Sequence, residues 1–195
     1  MKSYRGLIQR IRRCQRCKDL PKDSHSVFAG KSDNRIMVIG QAPGKQELKY
    51  NKPFIGPAGR RLFQWLSQVD ISEAEFRNAT YFTQIMKCYP GAGNRGDLKP
   101  KPRQISNCIS WLKEEIKMLR PKILIPVGKL AIEQLLGKVK LDAVVGKKFV
   151  KTVFGVKTII IPLPHPSGAS PWRFKPGSAQ RIVKAVKILK SFYSP

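Results

Sequence analysis

The chain has 195 residues, with 38 Lys+Arg against 12 Asp+Glu and a formal net charge of +26. Its length and 42% hydrophobic content predict one domain with a real core and exclude a disordered basic tail. Four cysteines are too few to staple so long a chain, and the charge calls for a polyanionic partner, nucleic acid first, because Lys and Arg that neutralise phosphates release counterions.

Residues 1–5 lead into a charged stretch with no apolar leader, and the longest apolar run, around Ile159, Ile160 and Ile161, is broken by Pro162 and Pro164. A soluble cytoplasmic protein without a membrane span is therefore expected. Residues 4–14 place Leu7, Ile8 and Ile11 at helical spacing among arginines and read as a basic amphipathic helix. A polar loop, 21–34, precedes a buried strand at 36–39. The Gly- and Pro-rich segment 41–59 reads as irregular, and from Arg60 a helix puts Leu62, Trp65 and Leu66 on one face. A second strand fits 80–86, rich in β-branched and aromatic residues. After a loop at 89–102, a helix over 105–119 aligns Ile109, Leu112, Ile116 and Leu119. A third strand follows at 123–127, then a helix from Gly128 to Leu136 stopped by Gly137. Residues 138–157 are lysine-rich and read as a hairpin, 158–162 as the fourth core strand, 163–177 as a loop and 178–192 as the last helix. Strands alternating with helices predict an α/β sandwich around a mostly parallel sheet. Ligands of such sheets sit at the carboxyl ends of the strands, here the loops at 40–59, 87–102 and 163–177.

Three groups of residues carry chemistry. Cys14 and Cys17 form a CxxC, with Cys88 and Cys108 far downstream. Two thiolates at that spacing bind one metal from a single turn, and thiolate ligation by itself does not separate zinc from an iron–sulfur cluster. Gly40-Gln41-Ala42-Pro43-Gly44 follows the first strand directly; its glycines let backbone approach a ligand, but no Walker or dinucleotide fingerprint is present. His165 stands between Pro164 and Pro166 after the fourth strand, so its backbone direction is fixed in advance. His25, in a polar loop, reads as solvated surface.

Taken in order, Cys14-x-x-Cys17, the GQAPG loop, Glu47, the Lys-Pro-Phe-Ile-Gly-Pro-Ala-Gly run at 52–59, Lys87-Cys88 with Asn94-Arg95, Cys108 and His165-Pro166-Ser167 cover nearly the whole chain. This set resembles the uracil-DNA glycosylase superfamily, most closely its iron–sulfur (family 4) enzymes of bacteria and archaea. The resemblance implies a three-layer α/β/α sandwich around a four-stranded, mostly parallel sheet, in a single domain spanning 1–195. Cys14, Cys17, Cys88 and Cys108 would hold a [4Fe-4S] cluster that ties on the N-terminal helix. The implied activity is that of a monomeric, cytoplasmic, monofunctional hydrolase. It would flip uracil or another deaminated base out of DNA and cut the N-glycosidic bond, initiating base-excision repair. Phe54 would stack on the base, Gln41, Ala42 and Pro43 would meet its edge, and His165 would donate to uracil O2 as charge builds there. Ser167, Gly168, Ser170, Arg173 and Arg95 would grip the DNA backbone.

Two positions depart from the family. Gln41 replaces a glutamate, and Ala42 stands where other branches carry a water-activating aspartate, which leaves Glu47 as the nearby carboxylate for orienting water. Gln84 stands where the family has asparagine and offers the same amide on a longer stem. The alternative reading is a weak or altered enzyme acting on hypoxanthine or xanthine, or one that only binds DNA.

Overall fold

The structure, a computed structural model, describes residues 3–94, 96–168 and 170–193. Its elements begin with α1 (Tyr4–Arg12), β1 (Ile36–Gly40), α2 (Lys45–Tyr50), α3 (Pro57–Ser67), α4 (Glu73–Ala79) and β2 (Thr80–Gln84). A two-stranded hairpin, β3 (Ala92–Gly93) and β4 (Gly96–Asp97), precedes α5 (Pro102–Leu119), β5 (Ile123–Pro126), α6 (Lys129–Leu136) and α7 (Leu141–Val144). The chain closes with β6 (Phe149–Val153), β7 (Val156–Ile160) and α8 (Ser178–Lys190).

The main sheet has the order β2-β1-β5-β7-β6, with the first four strands parallel. Strand side chains alternate between its faces, and both faces are covered. Val38, Phe82, Ile125 and Ile161 pack with Leu62 and Leu66 of α3, Phe76 of α4 and Ile182, Val186 and Leu189 of α8. On the other face, Met37, Ile39, Tyr81, Leu124 and Ile160 pack with Leu112, Ile116 and Leu119 of α5 and Ala131 of α6. Burial on both faces is why the central strands β1 and β5 read as unbroken apolar runs. Each fully buried side chain of this kind contributes about 1.5–3 kcal/mol. Leu7 and Ile11 fasten α1 to Cys108 and Trp111 of α5.

The sheet has five strands rather than four. The additional one, β6, runs antiparallel to β7 across a Phe154-Gly155 turn, in which both residues have positive φ, 48° and 84°. That is the twist a two-residue hairpin demands. Its middle residues, Val150, Lys151 and Thr152, are exposed, so the pattern of a buried strand is absent and lysine guards the edge. The segment 41–59 is likewise not wholly irregular. It contains α2, whose first turn is closed by the Glu47 carboxylate accepting from Gly44 N at 2.7 Å. Among the described residues, no helix is long and apolar enough to cross a membrane.

Candidate active site

The four parallel strands end on one edge, and the chain leaving them builds the site. Gly40 and Gln84 are register partners at the ends of β1 and β2. A methyl group on Gly40 would stand 3.1 Å from the Phe54 ring and 3.3 Å from Gln84 Cγ, so glycine lets both side chains meet over the strand end. Gln84 is 1% exposed, and neither its Nε2 nor its Oε1 has a hydrogen-bond partner among the described residues. Leaving a buried polar group unpaired costs about 1–3 kcal/mol, so this amide calls for a ligand.

Phe54 is held from behind. Its φ of 55° is unusual for a residue with a side chain, a conformation costing about 1–3 kcal/mol that persists only when the surroundings enforce it. Phe54 N donates to Glu47 Oε1, and Arg77 donates to the carbonyls of Pro53 and Phe54 at 2.9 and 2.8 Å. Gly59 has to lack a side chain, because a Cβ would lie 1.9 Å from the Phe54 carbonyl oxygen. Both Glu47 oxygens are thus engaged by backbone N–H groups. Burial pushes this carboxyl above its usual range; the two amides and Arg77 pull it back, while Asp97 adds to the rise.

His165 rests against Gly128, whose φ is +90° and whose Cβ would come within 3.0 Å of the imidazole. Only glycine satisfies both conditions. Ser167 N, which can only donate, points at His165 Nδ1 at 3.2 Å, and Ser167 Oγ lies 2.8 Å from the same nitrogen. Burial, and then the charge of Lys99, push His165 below its ordinary value of 6.5. The ring is therefore neutral at neutral pH, and with Nδ1 accepting, its proton sits on Nε2.

The cysteines meet at a separate place. Cys14, Cys17, Cys88 and Cys108 all line one cavity of about 300 Å³. Hydrogen-bond donors address three of the sulfurs: Trp111 Nε1 to Cys14 at 3.3 Å, Asn107 Nδ2 to Cys17 at 3.7 Å and Lys87 N to Cys108 at 3.2 Å. Arg16 lies over Trp111 at 4.3 Å and donates to Ser110 Oγ at 2.6 Å, fixing the CxxC turn to α5. Burial, then the proximity of the other three cysteines, pushes the Cys88 thiol up to about 12. Among the described residues no group of three or more such side chains has the geometry to hold one metal ion. Four thiols around one cavity, with N–H groups aimed at three of their sulfurs, are a donor set suited to a thiolate-bound metal centre.

The sequence-predicted residues fall into two groups. Gln41, Ala42 and Pro43 leave β1 beside Phe54 and Gln84, with Gln41 O accepting from Met86 N at 3.0 Å. Ser167 partners His165, while Arg173 braces the same loop by donating to the carbonyls of Pro166 and Ser167 at 3.3 and 2.9 Å. Gly168 is exposed and Ser170 half-buried nearby, and Arg95 lies outside the described residues. Sequence reading missed Asp97. It accepts from Tyr89 Oη at 2.9 Å, and its Oδ2 is 2.7 Å from where a Gly44 Cβ would be. It also missed Arg77, Gly128 and Glu115, the buried partner of Lys87 in the Lys-Cys motif; none of these three carries a local motif, since each acts across the fold.

Residues 28–190 match the family model for the uracil DNA glycosylase superfamily. A type-4 uracil-DNA glycosylase of Saccharolobus solfataricus is 30% identical over 171 residues, covering 84% of this chain and 75% of that protein. Its counterpart in Archaeoglobus fulgidus is 27% identical over 174 residues, 86% of this chain and 83% of that protein. That of Sulfurisphaera tokodaii is 28% identical over 175 residues, 87% and 76% respectively.

Proposed function

This chain belongs to the uracil-DNA glycosylase superfamily, and from that premise we propose that it excises uracil from DNA by hydrolysing the N-glycosidic bond, opening base-excision repair. The observation that carries the reading is the buried, unpartnered Gln84 amide beside the Phe54 ring. Its carbonyl accepts from uracil N3–H and its NH₂ donates to O4, while Phe54 takes the face of the flipped base. Gln41, Ala42 and Pro43 supply backbone along the remaining edge.

As the C1′–N1 bond breaks, its electron pair moves into the base and charge gathers on O2. His165 Nε2–H meets that charge as a neutral donor fixed from behind by Ser167. Water adds to C1′, and its proton leaves to solvent or to the departing base, giving uracil and an abasic site. Neither Gln41 nor Ala42 brings a carboxylate, and Glu47 is occupied in holding Phe54 and Gly44. The step therefore leans on uracil departure more than on an activated water. Ser167, Gly168, Ser170, Arg173 and Arg95 meet the DNA backbone.

Cys14, Cys17, Cys88 and Cys108 would hold a [4Fe-4S] cluster, whose irons would bind the thiolates and tie their segments together. The cavity is lined on one side by Met86, Lys87 and Cys88, a few residues beyond Gln84, and touches no reacting atom in this reading.

Incubation with a lesion panel, followed by alkali, tests the assignment. Strand breaks are expected in U·G duplex and in uracil-containing single strand. Cleavage of hypoxanthine or xanthine with both uracil substrates intact would overturn it, as would a mobility shift without any break.

A further inference from the structure

Lys87 and Glu115 form an ion pair with Nζ 2.6 Å from Oε2 and side chains 1% and 0% exposed; among the described residues it is the one pair buried on both sides. The excision step does not use it. Lys87 Nζ donates in addition to Thr83 Oγ1 at 2.6 Å and to the Gln84 carbonyl at 2.8 Å. All three ammonium donors are thereby committed. Glu115 is held in turn by Tyr81 Oη at 2.9 Å and Thr83 Oγ1 at 3.1 Å. On its main-chain side, Lys87 N donates to Cys108 Sγ, and Cys108 and Glu115 share the buried face of α5.

Burying charge is an inefficient way to hold a core, because an apolar pair of equal volume holds it as well. An apolar pair cannot donate to the Gln84 carbonyl. Among the described residues the Gln84 amide has no hydrogen-bond partner to aim it, so its direction depends on where its backbone is held. We propose that Lys87, clamped by Glu115, is a positioning residue for base recognition: it fixes the Gln84 main chain against α5 so that the free amide meets the base edge. The inference rests on the reading of Gln84 as the base-reading residue.

The test is binding, in parallel, to a duplex carrying 2′-fluoro-2′-deoxyuridine, which resists hydrolysis, and to one carrying a tetrahydrofuran abasic analogue. Wild type, Lys87→Met/Glu115→Gln, Gln84→Ala and the combined triple variant are compared, with folding checked by circular dichroism. Lys87→Met/Glu115→Gln is expected to lose about tenfold or more in affinity for the uracil duplex while the abasic duplex changes less than about twofold. Adding it to Gln84→Ala should cost nothing further, because both changes disable one element. Lys87→Gln/Glu115→Gln, which keeps a neutral donor toward the Gln84 carbonyl, should recover part of the preference. If the methionine variant does not fold, Thr83→Val carries the same comparison, with about a threefold loss confined to the uracil duplex. Equal losses on both duplexes, no loss on either, or full additivity with Gln84→Ala would overturn the proposal. A wild type that binds both duplexes equally overturns instead the reading of Gln84 on which it rests.

Discussion

The tautomer of His165 follows from one backbone amide. Because Ser167 N can only donate, Nδ1 must accept, and the single proton of a neutral ring belongs to Nε2. Burial and Lys99 hold the ring's pKa below 6.5, so between that lowered value and 6.5 the unfolded chain binds the proton and the fold does not. This group's contribution to stability is complete above pH 6.5 and is lost as pH falls through that window. Excision followed down from mildly alkaline pH should stay level to pH 6.5 and decline only below it; an acid limb centred higher contradicts a neutral donor. For Glu47, both oxygens serve backbone donors, which marks it as a residue that positions Phe54. Glu47→Gln should lower kcat by about 10- to 100-fold, the scale of a misplaced group. A loss near 10⁴-fold would indicate a general base. The motif residues of the site were legible because the family pattern is local in sequence. Gly128 and Asp97 were not: the reason Gly128 must be glycine is a histidine far along the chain, and Asp97 reaches the GQAPG loop only through the fold.

At the scale of elements, β1 and β5 could be read because burial on both faces leaves continuous apolar runs, and β2 and β7 because β-branched and aromatic residues dominate them. The edge strand β6 hid among lysines because its middle faces solvent. Helix α2 hid because its first turn depends on Glu47 more than on hydrophobic period. Helix α4 does carry a signal, Ser72 with Glu75 at capping-box spacing, but at seven residues it is too short to show a hydrophobic period. The cysteines bring three parts of the chain to one cavity: Cys14 and Cys17 follow α1, Cys88 follows β2, and Cys108 lies in α5. Beyond Leu7 and Ile11, α1 is tied to α5 by surface contacts: the Arg10–Glu114 pair, worth at most about 1 kcal/mol, and Arg10 over the Trp111 ring at 5.5 Å. Cys17→Ser, or removal of a bound cluster by chelation, should open residues 13–34 to limited proteolysis while the sheet core stays protected. Unchanged cleavage would mean that α1 docks without help from the cavity.

For the whole molecule, the proposed function divides the labour between the charge of +26 and the pocket that reads the base. Lysines and arginines attract DNA of any sequence, and each phosphate neutralised adds about −0.9 to the slope of log affinity against log salt. In the proposed reading Gln41, Phe54, Gln84 and a neutral His165 choose the base without formal charge, so their discrimination should be indifferent to salt. The composition made the partner legible from the first line; it held no information on which base is taken. The most direct test is single-turnover release of uracil and of cytosine from matched duplexes at low and at high salt, with wild type and Gln84→Ala. The account predicts that wild-type uracil release at limiting protein falls steeply with salt while its preference over cytosine stays constant. Gln84→Ala should keep the salt response and lose the preference. A preference that collapses with salt in the wild type, or survives in Gln84→Ala, would contradict it.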